Sequence, residues 1–134
     1  MDKVYYKIPT AKFGNKKVVT DEGTFDSKKE YNTWCKLKLM EKAGEITDLQ
    51  RQVKFVLIPA QYEDVEVVSK TGKTKIKKQL VERECSYIAD FVFTIKETGE
   101  KTVLDTKSEA TITPEFKIKK KLMLWVHHIK VEII

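Results

Sequence analysis

The order of local patterns along the chain predicts an α/β (α+β) protein in which a mixed central sheet is flanked by helices. Three observations carry this expectation: a capped helical stretch around residue 30, a succession of apolar strand-like segments through the middle of the chain, and a second capped helix leading into a β-branched C-terminal run.

Near the N-terminus the short runs VYYKI and KVVT, separated by the turn signal Phe13-Gly14-Asn15-Lys16, suggest weak strands or an arm over residues 1–11. Ser27-Lys28-Lys29-Glu30 has the form of a capping box. Tyr31, Trp34, Leu37 and Met40 then recur at helical spacing until Ala43-Gly44, so the first helix should run from Ser27 to Ala43. RQVKFVLIPA reads as a strand, and Tyr62 to Leu80 as a strand pair turning at Thr71-Gly72. SYIADFVFTIKETGEKTVLDTKS, residues 86–108, reads as a further hairpin with Thr98-Gly99 at its tip. The second helix has Thr113 as N-cap and Pro114 at its first position, with Ile118, Leu122 and Trp125 forming a stripe. After that crossover, HIKVEII should add a last strand parallel to the sheet. No repeat or linker divides the 134 residues, which suit one domain with a basic hairpin around residues 62–80.

Composition narrows the classes of function. Charged residues make up 34% and no apolar run approaches the ~18 residues of a membrane helix, so no membrane association is expected. The N-terminus lacks the pattern of a secretory signal, which points to the cytoplasm. Cys35 and Cys85 are too few and too far apart for a disulfide framework or a zinc site. His127 and His128 are read as complementing a helix C-terminus. The net charge of +6 suits an anionic partner, and the lysines cluster: five in SKTGKTKIKK (69–78) and four in FKIKKK (116–121).

The 86–108 hairpin poses the chemical question, because it places Asp90 and Asp105 in otherwise apolar strands, with Lys107 at the end. A Thr98-Gly99 loop sets Val92 opposite Asp105 and Asp90 opposite Lys107, with both aspartates and the lysine on one face. Asp is depleted in strands, and neighbouring carboxylates repel unless a cation or a proton intervenes. An Asp90–Lys107 ion pair on a solvated face would satisfy one of them and leaves Asp105 without a basic partner. Glu30 lies in line with Trp34 and Leu37 on the core-facing stripe of the first helix; it either caps the Ser27 backbone or joins the acidic site.

Taken together, Glu30 in FDSKKE, Asp90 in YIADF and Asp105-Thr106-Lys107 in VLDTK resemble the PD-(D/E)XK nuclease superfamily. The closer resemblance is to a small family of phage and prophage proteins placed in that superfamily. It extends over KFGNKKVVTDEGTFDSKKE, LQRQVKFVLIPA with its Gln52, YIADF, VLDTK and IKKKL. The chain departs from the pattern at Ser108, where Gly usually follows the Lys, and in its longer Lys-rich hairpin. The resemblance implies a restriction-endonuclease-like fold and a DNA endonuclease acting in recombination or on branched DNA. In that reading Asp90 and Asp105 bind Mg²⁺ or Mn²⁺, Glu30 completes the acidic site or holds a second ion through water, and Lys107 orients water and stabilises charge.

Lys73, Lys75 and Lys77 alternate and would form a ladder that either follows a phosphate backbone or protects an edge strand. Lys119 and Lys121 match basic positions of the family and would contact phosphates. DNA is thus the expected partner, and a homodimer is compatible with the sequence. The alternative is a non-catalytic nuclease-fold module that holds DNA or protein. A third option, an RNA-binding β protein, would use Tyr62, Tyr87 and Phe93 for stacking.

Overall fold

The computed structural model describes residues 6–10 as backbone and residues 16–134 in full. The turn signal at Phe13-Gly14-Asn15 and the remainder of the expected arm lie outside the described residues. Tyr6–Thr10 (β1), Lys16–Thr20 (β2) and Gly23–Phe25 (β3) form a small antiparallel sheet. There follow Lys28–Lys42 (α1), Ile46–Ile58 (β4), Gln61–Val68 (β5), Thr74–Glu82 (β6), Cys85–Ile95 (β7), Lys101–Asp105 (β8), a short 3₁₀ turn, Pro114–His127 (α2) and Glu132–Ile133 (β9).

The central sheet has the order β4-β7-β8-β9 and is antiparallel except for β9, which lies parallel to β8 after the crossover through α2. The chain is therefore a mixed sheet flanked by two helices, as the order of patterns predicted. β4 starts at Ile46, ahead of the RQVKFVLIPA segment, because Ile46 and Thr47 already pair with Ile95 and Thr94. The C-terminal strand is confined to two residues, since His128 takes a left-handed conformation (φ 59°) to end the helix and Val131 is spent in the core.

Both helices are capped as their sequences demand. Ser27 Oγ accepts from the Glu30 N–H at 3.1 Å, and Thr113 Oγ1 accepts from the Phe116 N–H at 3.1 Å, each satisfying a donor that the first turn leaves open.

On one face of the sheet, Leu37, Ile46, Phe91, Phe93 and Leu104 pack with Trp34 and Met40 of α1. On the other, Phe55, Leu57, Tyr87, Ala89, Val92 and Val103 pack with Phe116 and Met123 of α2. Strand alternation would put Ala89 and Phe91 on the same face. They belong to opposite clusters, so the pleat reverses at Asp90. On the partner strand that rung holds Gln52, whose φ of 53° places it in the left-handed region.

The stripe expected for α2 is corrected. Ile118 and Trp125 are 59% and 81% exposed, while Phe116 and fully buried Met123 face the sheet, with Leu122 partly buried beside them. Two apolar rows run along this helix, and the tilted contact of the Phe116 ring with Tyr87 (6.2 Å between centroids) decides which one turns inward.

Candidate functional site

The β7–β8 turn closes with the Ile95 N–H donating to Glu100 O (2.9 Å) and the Gly99 N–H to Ile95 O (2.7 Å), with Gly99 at φ 73°. The loop is thus Lys96 to Gly99, and the ladder pairs Val92 with Val103 and Phe91 with Leu104. The expected pairings of Val92 with Asp105 and Asp90 with Lys107 are corrected by two residues: one further rung sets Asp90 against Asp105. A slip of two leaves every side chain on its face, so the clustering survives the wrong register.

Glu30, Asp90, Asp105 and Lys107 line one polar cleft of about 820 Å³, together with Ser27, Tyr87, Thr106, Phe116 and Lys119. A larger groove between α1 and the β8–β9 edge is floored by Leu37, Ile46, Phe93 and Leu104 and holds none of these acids but the rim residues of other segments.

Each acid is held by several neighbours. Glu30 is 2% exposed; its Oε2 accepts from the Asp26 N–H (3.0 Å), and its Oε1 accepts from Gln52 Nε2 (3.2 Å) and lies 3.7 Å from the Arg51 guanidinium. The expected reciprocal cap thus goes to the Asp26 backbone instead of that of Ser27. Arg51 itself stacks over the Phe25 ring at 3.7 Å. Gln52 Nε2 also reaches Asp90 Oδ1 at 3.3 Å, so one amide links the α1 acid to the β7 acid. Asp90 Oδ2 accepts from both the Thr106 N–H (2.9 Å) and the Thr106 hydroxyl (2.7 Å).

Asp105, 1% exposed, accepts at Oδ2 from the Tyr87 hydroxyl in a short hydrogen bond. Its Oδ1 lies 3.2 Å from Lys107 Nζ and has no hydrogen-bond partner. The basic partner of Asp105 is therefore Lys107, and the ion pair considered between Asp90 and Lys107 gives way to this one. The backbone here is clamped by Ile134, just past β9: the Lys107 N–H donates to Ile134 O (3.1 Å) and the Ile134 N–H to Asp105 O (3.0 Å).

Crowding of acids in a buried place shows in their ionisation. Burial first, then the Asp90 charge, raises Glu30 from 4.5 to about 7, against the opposing Asp26 N–H and Arg51. Burial first, then its hydrogen bond and charge interaction with Asp90, raises Asp105 from 3.8 to about 7, against Tyr87 and Lys107. The Tyr87 hydroxyl is pushed up as well, by burial and then by Asp105.

Such a cluster fits a divalent ion at Asp90 and Asp105, where charge is in excess and one buried oxygen lacks a donor. Among the described residues, no three His, Cys, Asp or Glu side chains form a metal cage as they stand. Glu30 is drawn to Gln52 and Arg51, and this sets it one link behind the aspartates.

The lysines divide. Lys119 lines the cleft and pairs with Glu115 at 3.1 Å. Lys121 does not join it: nearly 200° further round the helix, it lies on the outer surface with Leu124, Trp125 and His128. Lys75 and Lys77 sit opposite Val67 and Val65 on one face of the β5–β6 ribbon, and Lys73 precedes it in the turn, where its N–H bonds Ser69 Oγ (3.1 Å). That ribbon forms a separate two-stranded sheet extending from β4 and β7. Tyr87 and Phe93 are 4% and 6% exposed, which removes them as a platform for RNA bases. His127 bonds Val56 O through a ring nitrogen (2.7 Å), and both cysteines are free. No helix among the described residues is long and apolar enough to cross a membrane.

Three contributors had no role at the acidic site assigned from the sequence: Thr106 and Gln52 stood there only as members of the resembling segments, and Tyr87 only as a stacking residue of the RNA alternative. No curated protein and no solved structure matches the chain. Residues 10–133 match the model of a family described as "Protein of unknown function (DUF1064)", and the chain belongs to that family.

Proposed function

We propose that this protein is a divalent-metal-dependent DNA endonuclease of the PD-(D/E)XK type. The observation that carries the reading is the meeting of Asp90 and Asp105 on adjacent strands, beside Lys107 and backed by Glu30, with Asp105 and Glu30 both raised to about 7 by burial and by each other's neighbour Asp90. Mg²⁺ or Mn²⁺ held by Asp90 and Asp105 would acidify water and offset charge on a phosphate oxygen. Thr106 fixes the rotamer of Asp90 through two hydrogen bonds, Tyr87 fixes that of Asp105, and Gln52 ties Glu30 to the pair. Lys107 supplies a fixed positive charge at the cleft, suited to orienting water and stabilising an anionic phosphate. In this reading Lys119 at the rim, and Lys75 and Lys77 on the ribbon, would meet backbone phosphates. Action in recombination or on branched DNA, and a cytoplasmic site of action, belong to the same proposal.

A second reading, a non-catalytic module of nuclease fold, draws on the engagement of the acids within the protein: Asp105 by Tyr87 and Lys107, Glu30 by Gln52 and Arg51. The two separate when supercoiled, linear and four-way-junction DNA are incubated with the protein, with and without Mg²⁺ or Mn²⁺. Metal-dependent cutting lost in Asp90→Ala is the expected result. Absence of cutting on every substrate, with salt-sensitive binding retained, would overturn the enzyme reading in favour of the module.

A further inference from the structure

Trp125 is 81% exposed on a helix whose core-facing row is already complete with Phe116 and Met123. It is accompanied by Ile118 (59% exposed) and Leu124 (54% exposed), and shares a shallow hollow with Lys121, Leu124 and His128. An indole left this open forfeits the burial that usually justifies the residue, so the patch fits a surface used by another molecule.

Charge selects among the occupants. α2 carries Lys117, Lys119, Lys120 and Lys121 against a single acid, Glu115, and Glu115 is taken by Lys119. A second copy docking symmetrically on Trp125 would bring Lys121 and Lys117 close to their own equivalents, with no acid of this helix to separate them. A polyanion with a flat aromatic group satisfies both halves of the patch: phosphates for the lysines, a π-face for the indole. A base paired within a duplex does not expose that face, whereas an unpaired one does.

We infer that the outer face of α2 binds single-stranded nucleic acid, an unpaired base stacking on Trp125 while Lys121 and Lys117 contact the adjoining phosphates. Lys119 lies at the rim of the acidic cleft on the same helix; Trp125 stands six residues on, ~9 Å of rise and roughly 120° round the helix surface from it, a path that a run of several nucleotides can cross. If the chain cuts DNA as proposed above, the preferred substrate therefore has a single-stranded segment adjoining the cut: a flap, gap or junction arm. The placement beside the cut rests on the nuclease reading; the binding does not.

The test reads the fluorescence anisotropy of dye-labelled single-stranded oligothymidylate and blunt duplex for every variant, with tryptophan quenching as a second readout in the wild type, in chelator so that no cleavage intervenes. Oligothymidylate is expected to quench the wild type, with Trp125→Ala weakening binding by about 5- to 100-fold, Trp125→Phe keeping most of the affinity, and Lys121→Gln lowering the salt slope by about one unit. Circular dichroism of each variant confirms folding, which substitution at so exposed a residue should leave intact. Equal binding of wild type and Trp125→Ala, or equal affinity for the blunt duplex, would overturn the inference. So would self-association in sedimentation that Trp125→Ala abolishes while the oligonucleotide leaves fluorescence unchanged; that outcome assigns the face to a second copy. Quenching that persists in a protein without nuclease activity would retire the proposed function and leave this one standing.

Discussion

Asp105→Asn should stabilise the protein above neutral pH while abolishing any response to Mg²⁺. Asp105 titrates from 3.8 in an ordinary setting to about 7 in the fold, so the folded protein holds a proton that the unfolded chain has released across that interval. Because the native state binds more protons there, stability falls as pH rises from about 4 to about 7, and Glu30 adds a slope of the same sign. A shift of roughly three units at ~1.4 kcal/mol each bounds the burden of the ionised group at about 4 kcal/mol. The raised value is already net of the Lys107 attraction; the amide removes the charge and keeps an acceptor for the Tyr87 hydroxyl, but it turns a donor toward Lys107 and leaves more donors than acceptors, returning ~1–2 kcal/mol. The net expectation is a gain of about 1–3 kcal/mol near pH 8, or roughly 3–12 °C in Tm for a domain of this size, shrinking toward zero near pH 5. Thermal melting in chelator at both pH values reads it directly. If Asp105→Asn destabilises equally at both, the carboxyl carries no charge burden in the fold that a cation would offset.

At Gln52 the left-handed backbone and the bridging amide can be separated. Gln52→Gly and Gln52→Ala both lose the link between Glu30 and Asp90, but the glycine variant should melt higher by ~1 kcal/mol because only alanine bears the left-handed strain; equal melting would show that the strain is relieved elsewhere. Met123→Ala should lose about 2–5 kcal/mol in urea denaturation, as expected for truncating a side chain with no exposed surface, whereas truncating its exposed neighbour Leu124 should cost well under 1 kcal/mol.

Local chemistry made much of this structure legible in advance. Ser27 and Thr113 announced their helices because an open N–H demands an acceptor, and the core-facing line of Glu30, Trp34 and Leu37 follows from helical spacing. The acidic cluster was readable for a different reason: a two-residue error in the hairpin leaves the face unchanged, so the composition of the cleft tolerated a register that was wrong. What stayed hidden depends on tertiary choice. Nothing in PEFKIKKKLMLWVH distinguishes a row through Phe116 and Met123 from one through Ile118 and Trp125 until the sheet surface is known. Likewise, the reversal at the Gln52–Asp90 rung requires two strands to kink together, and neither segment contains the Gly that would have flagged it.

The clamp that Ile134 places on the backbone of Asp105 and Lys107 ties the acidic pair to the order of synthesis. On a growing polypeptide β7 and β8 can pair early, yet the segment carrying the lysine remains untethered until α2 has been made and the last strand has docked alongside. The charged centre is therefore fixed late in folding, and cleavage between α2 and Ile134 would slacken it while leaving Glu30, Asp90 and Asp105 in place.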